Sequence, residues 1–366
     1  MSRFSNAISS FFARGFATSL LQRNRFPWVD YLRGIAIILV VYRHALIGIE
    51  RSGMNVPKVL VDANMIFYSF RMPLFFIVSG IFIGGSLKRK RLVQVVEKKF
   101  ETLLYPYLVW AFIQVTLQIL LSGFVNSERS WFDYLYIIYQ PRNLDQFWYL
   151  PALFNTTVIY IIVKVKLKPP QWVQLSAGVV LYFVSAHLTK ISMLSDWMEF
   201  YLFFGIGDTI ASLFFTDRIQ KLLGSTKTLI LIIPVFIITQ VFYLRHYEYY
   251  YRDYFSGQVQ FLAIALIGCF TMFVFAFCLQ KWKIISWLRI FGYHSLYIYV
   301  MHVLVIAFMR IVMTKVLGVH NATILLFNGI FWGITLPVLF YNLFIKDKLL
   351  WFLFTYKKNK PGSITE

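Results

Sequence analysis

Ten apolar stretches, each close to the roughly 20 residues that a helix needs to cross bilayer hydrocarbon, constrain this chain more than any other feature. They cover residues 29–50, 59–87, 100–123, 147–165, 171–188, 194–215, 226–244, 258–280, 284–313 and 322–345. In lipid every backbone N–H and C=O must be satisfied within the segment, so stretches of this length and composition are predicted to be helices. The expected fold class is therefore all-α, a polytopic membrane protein of about ten transmembrane helices. Only 14% of the residues are charged, and the mean hydropathy is +0.65. A soluble domain carries about 25% charged residues, so a soluble fold is excluded.

The chain has 36 Lys and Arg against 16 Asp and Glu, a formal net charge of +20. Such a balance suits either a nucleic-acid surface or a topology signal, and the placement of the charges separates the two. With the N-terminus set in the cytoplasm, the segments and helix ends on that side hold 24 of the 36 basic residues. The opposite side holds 9, and Arg33, Arg43 and Arg71 fall within spans. This split predicts that both termini are cytoplasmic, and it accounts for the basic pI without nucleic acid as a partner. The basic run Lys88–Arg91 sits where the second span returns to the cytoplasm. There each charge near an anionic leaflet is worth about 1 kcal/mol, and a second role in attracting an anionic cofactor stays open.

Residues 1–27 lack a continuous apolar core and a small-residue cleavage site, which argues against a removable signal peptide. Phe4, Ile8, Phe11, Phe12, Phe16 and Leu20 recur at helical spacing among Arg3, Arg14, Arg23 and Arg25, so an interfacial amphipathic helix is predicted there. Residues 28–350 then form one membrane domain, and 351–366 a cytoplasmic tail. Cys269 and Cys278 lie nine residues apart in one apolar stretch, too far along a helix for a disulfide. No metal-ligand spacing occurs, so no metal is expected.

Ionisable groups in hydrocarbon cost at least about 2.5 kcal/mol each on insertion scales, so their positions point to function. The first span holds Arg33, Arg43 and His44, the second Arg71, the sixth Glu199 and Asp208, and the ninth His294 and His302. These four helices are expected to surround a polar cavity. Arg33 and His44 are eleven residues apart, three helical turns, which sets them on one face about 16 Å apart. A cation near the cytoplasmic end could hold an anionic cofactor, while a deeper neutral imidazole could take a proton from a hydroxyl. Alternatively, Arg33 pairs with Asp30 one turn away, and His44 is a hydrogen-bonded packing residue. Arg43 points about 100° away from His44, toward a structural pairing with an acid such as Glu199 or Asp208.

Several fragments resemble the membrane acyltransferase family 3, which includes bacterial sugar and nodulation-factor O-acetylases. Asp30, Tyr31, Leu32, Arg33, Gly34, Ile35 and Ala36, followed by His44, are similar to its first-helix signature. Met72–Gly80, the basic run before Pro106 and Tyr107, and Phe147–Phe154 resemble the second, third and fourth helices. Phe291, Gly292, Ser295, Tyr299 and His302 resemble the ninth. The five fragments fall in the family's order across most of the chain.

The resemblance implies a fold of about ten helices. It also implies transfer of an acyl group, usually acetyl, from cytoplasmic acetyl-CoA or another acyl-CoA to a hydroxyl of a carbohydrate or glycolipid acceptor. On these residues His44 would be the catalytic base, by direct transfer or through an acyl-histidine, and Arg33 would bind the cofactor. Arg71 would steady the thioester oxygen, or else pair with an acid as a packing residue. His302 would contact the acceptor or hydrogen-bond near Tyr299, and Glu199 and Asp208 are the remaining candidates for substrate binding. The implied location is the bacterial inner membrane. Some relatives carry a fused hydrolase-like domain outside the membrane, which this sequence is not expected to have. Ser79 and Gly80 lack a nucleophile-elbow context and read as close helix packing. The rival reading is a secondary transporter or flippase for a glycan or lipid, although no repeat of interrupted helices is evident.

Overall fold

The computed structural model describes residues 14–22, 26–122, 129–246, 255–346 and 348–357. Its main α-helices are α1 (Pro27–Glu50), α2 (Lys58–Ile66), α3 (Tyr68–Arg89), α4 (Leu92–Lys99) and α5 (Tyr105–Leu120). After a loop of short turns come α6 (Tyr149–Ile162), α7 (Gln171–Ser185), α8 (Ser192–Phe214), α9 (Asp217–Leu223) and α10 (Thr226–His246). The last four are α11 (Phe255–Trp282), α12 (Leu288–Tyr293), α13 (Ser295–Ile311) and α14 (Ala322–Phe340). No strand occurs among the described residues. The protein is all-α and polytopic, as the hydropathy requires.

Eight of these helical segments are long and apolar enough to cross a membrane, or up to nine if α8 and α9 count as one span bent by 110°. The fifth and sixth sequence stretches account for the difference from ten. Both are helical, but α7 has only 15 residues, about 22 Å at 1.5 Å per residue, short of the roughly 30 Å hydrocarbon thickness. The sixth, α8, carries Asp196, Glu199 and Asp208 and passes only together with α9. Of the expected interfacial helix, Phe4, Ile8, Phe11 and Phe12 lie outside the described residues. The described part includes a 3₁₀ turn at Thr18–Gln22.

The helices form two compact units. The first comprises Met1–Val56, Phe100–Asp133 and Ser286–Glu366; the second comprises Pro57–Lys99 and Tyr134–Ile285. In the first unit, α1 packs against α12, α13 and α14. Pro27 opens α1, where its missing N–H breaks no hydrogen bond. The α1–α12 crossing depends on two glycines: a Cβ on Gly292 would collide with the Asp30 carbonyl oxygen, and one on Gly34 with the Leu288 carbonyl oxygen. Small residues let membrane helices approach backbone to backbone.

In the second unit α8 is central, packing on α3, α6 and α7. Its crossing with α3 uses the same device. A Cβ on Gly80 would strike the Phe204 carbonyl oxygen, and one on Gly207 the Ile77 carbonyl oxygen. Ser79–Gly80 is thus close helix packing, as its sequence context suggested. Cys269 and Cys278 are buried free thiols. The prolines divide into two kinds. Pro73, Pro234 and Pro337 lie inside helices, whereas Pro106 and Pro151 sit in the first turns of α5 and α6. The π turn Phe100–Leu104 directly precedes α5, widening the helix where the Pro106 ring would otherwise meet the carbonyl four residues earlier.

Candidate functional site

His44 and His302 are brought together. They lie on α1 and α13 of the first unit, with ring centroids 5.0 Å apart and planes at 82°, edge to face. His44 is half-buried and His302 fully buried. His44 Nδ1 lies 3.2 Å from the Val40 carbonyl oxygen, and His302 Nδ1 lies 3.0 Å from that of Ile298. A carbonyl oxygen only accepts, so Nδ1 is the donor in each contact. His302 Nε2 has no hydrogen-bond partner among the described residues. Its ring centroid also lies 6.2 Å from that of Tyr299.

The same α1 face carries Arg33, three turns nearer the helix start. Asp30 lies against Arg289, 3.7 Å from its Nε. Arg289 also donates from Nη1 to the Leu21 carbonyl at 3.1 Å. This arrangement ties the start of α1, α12 and the N-terminal 3₁₀ turn together. Arg33 remains half-buried on the face it shares with His44.

The other predicted residues belong to the second unit. Arg71 is buried on α3, donating to Asn64 Oδ1 at 3.3 Å, with its guanidinium 5.6 Å from the Tyr68 ring centroid. Glu199 and Asp196, one turn apart on α8, are both buried and share one cation. Arg142 Nε is 2.6 Å from Asp196 Oδ1, its Nη2 is 3.4 Å from Glu199 Oε2, and its Cζ lies 4.3 Å from the Trp148 ring centroid. Asp208 accepts from the Tyr160 hydroxyl at 2.7 Å and from Lys164. Gln171 donates in turn to the Tyr160 oxygen at 3.0 Å.

Sequence reasoning missed Arg142 and Lys164. Arg142 stands in a loop outside the spans, and Lys164 reads as the basic end of one. Their signal was the unbalanced acids on α8, which require cations from elsewhere. It also missed Asn342, whose amide donates to the Gly15 carbonyl at 2.8 Å and meets His294 Nε2 at 3.0 Å. Among the described residues no group of three or more His, Cys, Asp or Glu could hold a metal ion.

An imidazole pair inside an apolar helix bundle is a candidate for proton transfer. A family model described as an acyltransferase domain matches residues 26–342. The chain belongs to this acyltransferase family. The match runs from the residue before α1 into the π turn Tyr341–Ile345, so it takes in both histidines and the ion clusters of the second unit. The chain is thus a multi-pass membrane member of this family. It is also similar to Nodulation protein NolL of Mesorhizobium japonicum, 25% identical over 178 residues, 49% of this chain and 46% of that protein. The chain therefore spans about half the length of that curated relative. No solved structure matches.

Proposed function

We propose that this acyltransferase moves an acetyl group from cytoplasmic acetyl-CoA to a hydroxyl of a cell-surface glycan or glycolipid precursor, with His44 as general base. The observation that carries the reading is the contact of His44 Nδ1 with the Val40 carbonyl oxygen at 3.2 Å, beside the His302 ring. With Nδ1 donating there, Nε2 is the nitrogen that can accept a proton. In the proposed step the acceptor oxygen attacks the thioester carbonyl carbon while its proton passes to His44 Nε2. The C–S bond then breaks, an ester C–O bond is formed, and the imidazolium returns the proton to the CoA sulfur. Atoms and charge balance, and His44 ends neutral.

Arg33, about 16 Å down the same helix face, is the proposed contact for the CoA end of an extended pantetheine arm. A planar, permanently charged guanidinium matches phosphate geometry. Arg71 is a separate candidate for the thioester oxygen. The setting that goes with this reading is the bacterial inner membrane, with a carbohydrate acceptor. The test uses purified protein in lipid nanodiscs with acetyl-CoA and membrane glycan extracts, following free CoA thiol. Release that depends on the extract and disappears in His44→Ala is the expected result. Full release by a folded His44→Ala variant would sink the assignment, and glycan movement without thiol release would favour a transporter.

A further inference from the structure

Within the first unit, α5 is held differently from its neighbours. Helix α1 packs against α12, α13 and α14. Helix α5 packs on α13 and on the 3₁₀ turn Trp351–Leu353, and among the described residues no third element beyond its own π turn grips it to a like extent. Its outer face exposes Leu108, Phe112 and Leu120, as a helix facing lipid does. A short segment that follows the last span therefore supplies one of its two attachments.

Residues 351–357 run as a strap from the π turn that ends α14 onto α5. The last carbonyls of a helical turn lack partners within it, and α5 supplies them. The Tyr105 hydroxyl donates to the Phe352 carbonyl at 2.7 Å, and the Trp110 indole N–H to the Leu353 carbonyl at 3.1 Å. The Thr355 hydroxyl donates to Glu101 Oε1 at 2.6 Å, in the π turn that leads into α5. The Tyr356 ring lies 6.0 and 5.8 Å from those of Phe100 and Tyr105.

Phe354 fills the seam between the two helices. Its ring centroid is 5.5 Å from that of Trp110 on α5 and 4.8 Å from that of Tyr297 on α13, with Tyr341 at 6.0 Å. At this level α5 and α13 meet through a side chain that belongs to neither. Tyr297 stands five residues before His302, about 7.5 Å along α13, so the seam opens near the depth of the histidine pair.

The strap is built to let go. Phe354 is its one fully buried residue, and Phe352, Tyr356 and Lys357 are exposed. The bond from Tyr105 is exposed too, and water replaces such a bond at little net cost. Opening therefore depends on withdrawing a single ring. His302 is fully buried, so a reactant that reaches it has to part helices. We infer that residues 351–357 are a latch: with Phe354 seated, α5 is closed against α13, and its withdrawal frees α5 and opens the seam during turnover. The need for opening in turnover rests on the acyl-transfer reading; the latch itself does not.

Two experiments on the protein in lipid nanodiscs test it. The first follows hydrogen exchange of the α5 and α1 amides in Phe354→Ala. Exchange about tenfold faster in α5, with α1 unchanged, is the expected local opening. No change in α5, or equal acceleration in α1, overturns the latch, the second outcome making the strap a general support. If Phe354→Ala does not reach the membrane, Phe354→Leu, which keeps apolar bulk and loses the ring contacts, is held to the same criteria. The second joins the strap to α5 by pairing Glu101→Cys with Thr355→Cys, closed by oxidation or by a short bis-methanethiosulfonate. Bridging should lower acetyl transfer about tenfold relative to the reduced form of the same variant, as a blocked gate does, and dithiothreitol should restore it. Equal transfer by the bridged and reduced forms overturns the part played by opening in turnover. The exchange measurement needs no acetyl transfer. A native protein that transfers nothing therefore removes the acyl-transfer reading and leaves the latch to be decided by exchange.

Discussion

Helix α8 of the second unit and the histidine pair of the first handle polar groups in opposite ways. In the second, every buried carboxylate of α8 meets a cation from another segment: Asp196 and Glu199 meet Arg142, and Asp208 meets Lys164. In the first, His44 and His302 send their N–H groups to carbonyls of their own helices and lie edge to face. The difference follows from desolvation. An ionised side chain taken from water loses several kcal/mol and needs a close partner, whereas a neutral imidazole can keep a lone pair in reserve. Compensated charges hold helices in place; a neutral imidazole can serve a substrate. On this comparison Glu199 and Asp208, expected from sequence to bind substrate, are better proposed as clamps.

The strongest attempt to break the comparison separates rate from stability. His44→Ala should lower acetyl transfer by roughly 10²–10⁴-fold, the usual worth of a general base, and leave the thermal midpoint in detergent almost unmoved. Arg142→Met should do the reverse. Removing one partner of a fully buried pair costs about 3–5 kcal/mol, but a third of the Arg142 side chain is exposed, so about 2–3 kcal/mol is expected. Transfer assayed well below the lowered midpoint should persist. Adding Asp196→Asn and Glu199→Gln should recover most of the loss, because no charge is then left alone. A normal midpoint with lost transfer in Arg142→Met would put the acid cluster in the acceptor site.

How much of this was legible beforehand depended on the range of each interaction. The Arg33–His44 face was readable because both residues lie on one helix, where spacing fixes geometry. The pairing of His44 with His302 was not, since it depends on how α1 and α13 dock. The partners of Glu199 and Asp208 were hidden for the same reason: Arg142 is 57 residues from Glu199 and Lys164 is 44 from Asp208. Hydropathy found all ten stretches but not every helix end. Composition marked the end of α8 at Phe215, where the sixth stretch stops, but not the end of α7 at Ser185.

Where polar chemistry divides the units, glycine packing unites them, and this gives a finer test. Gly292→Ala in the first unit and Gly207→Ala in the second each drive a Cβ into a facing carbonyl oxygen. Neither backbone can yield without moving a helix, so each should cost about 1–3 kcal/mol. The functional outcomes should differ. Gly292→Ala shifts α12 against α1, the helix that carries His44, and should reduce transfer even below its midpoint. Gly207→Ala shifts α8 against α3 and should lower the midpoint with transfer preserved at low temperature. Equal losses of transfer would mean that the division between chemistry and clamping is drawn in the wrong place.

The smallest expected effect tests whether α1 glycines matter as such or only at the crossing. Gly48, on α1 like Gly34, has nothing within 4 Å of where a Cβ would stand. Its carbonyl accepts from Arg310 of α13, a bond that a side chain at this position leaves intact. Replacing a helical glycine with alanine gains up to about 1 kcal/mol of helix propensity when nothing clashes. Gly48→Ala should therefore leave the midpoint unchanged or raise it slightly, with full transfer. Gly34→Ala, facing the Leu288 carbonyl, should lower it. A matched loss in both variants would mean that α1 needs flexibility near His44, and the rigid histidine pair would then have to give way to a helix that moves during turnover.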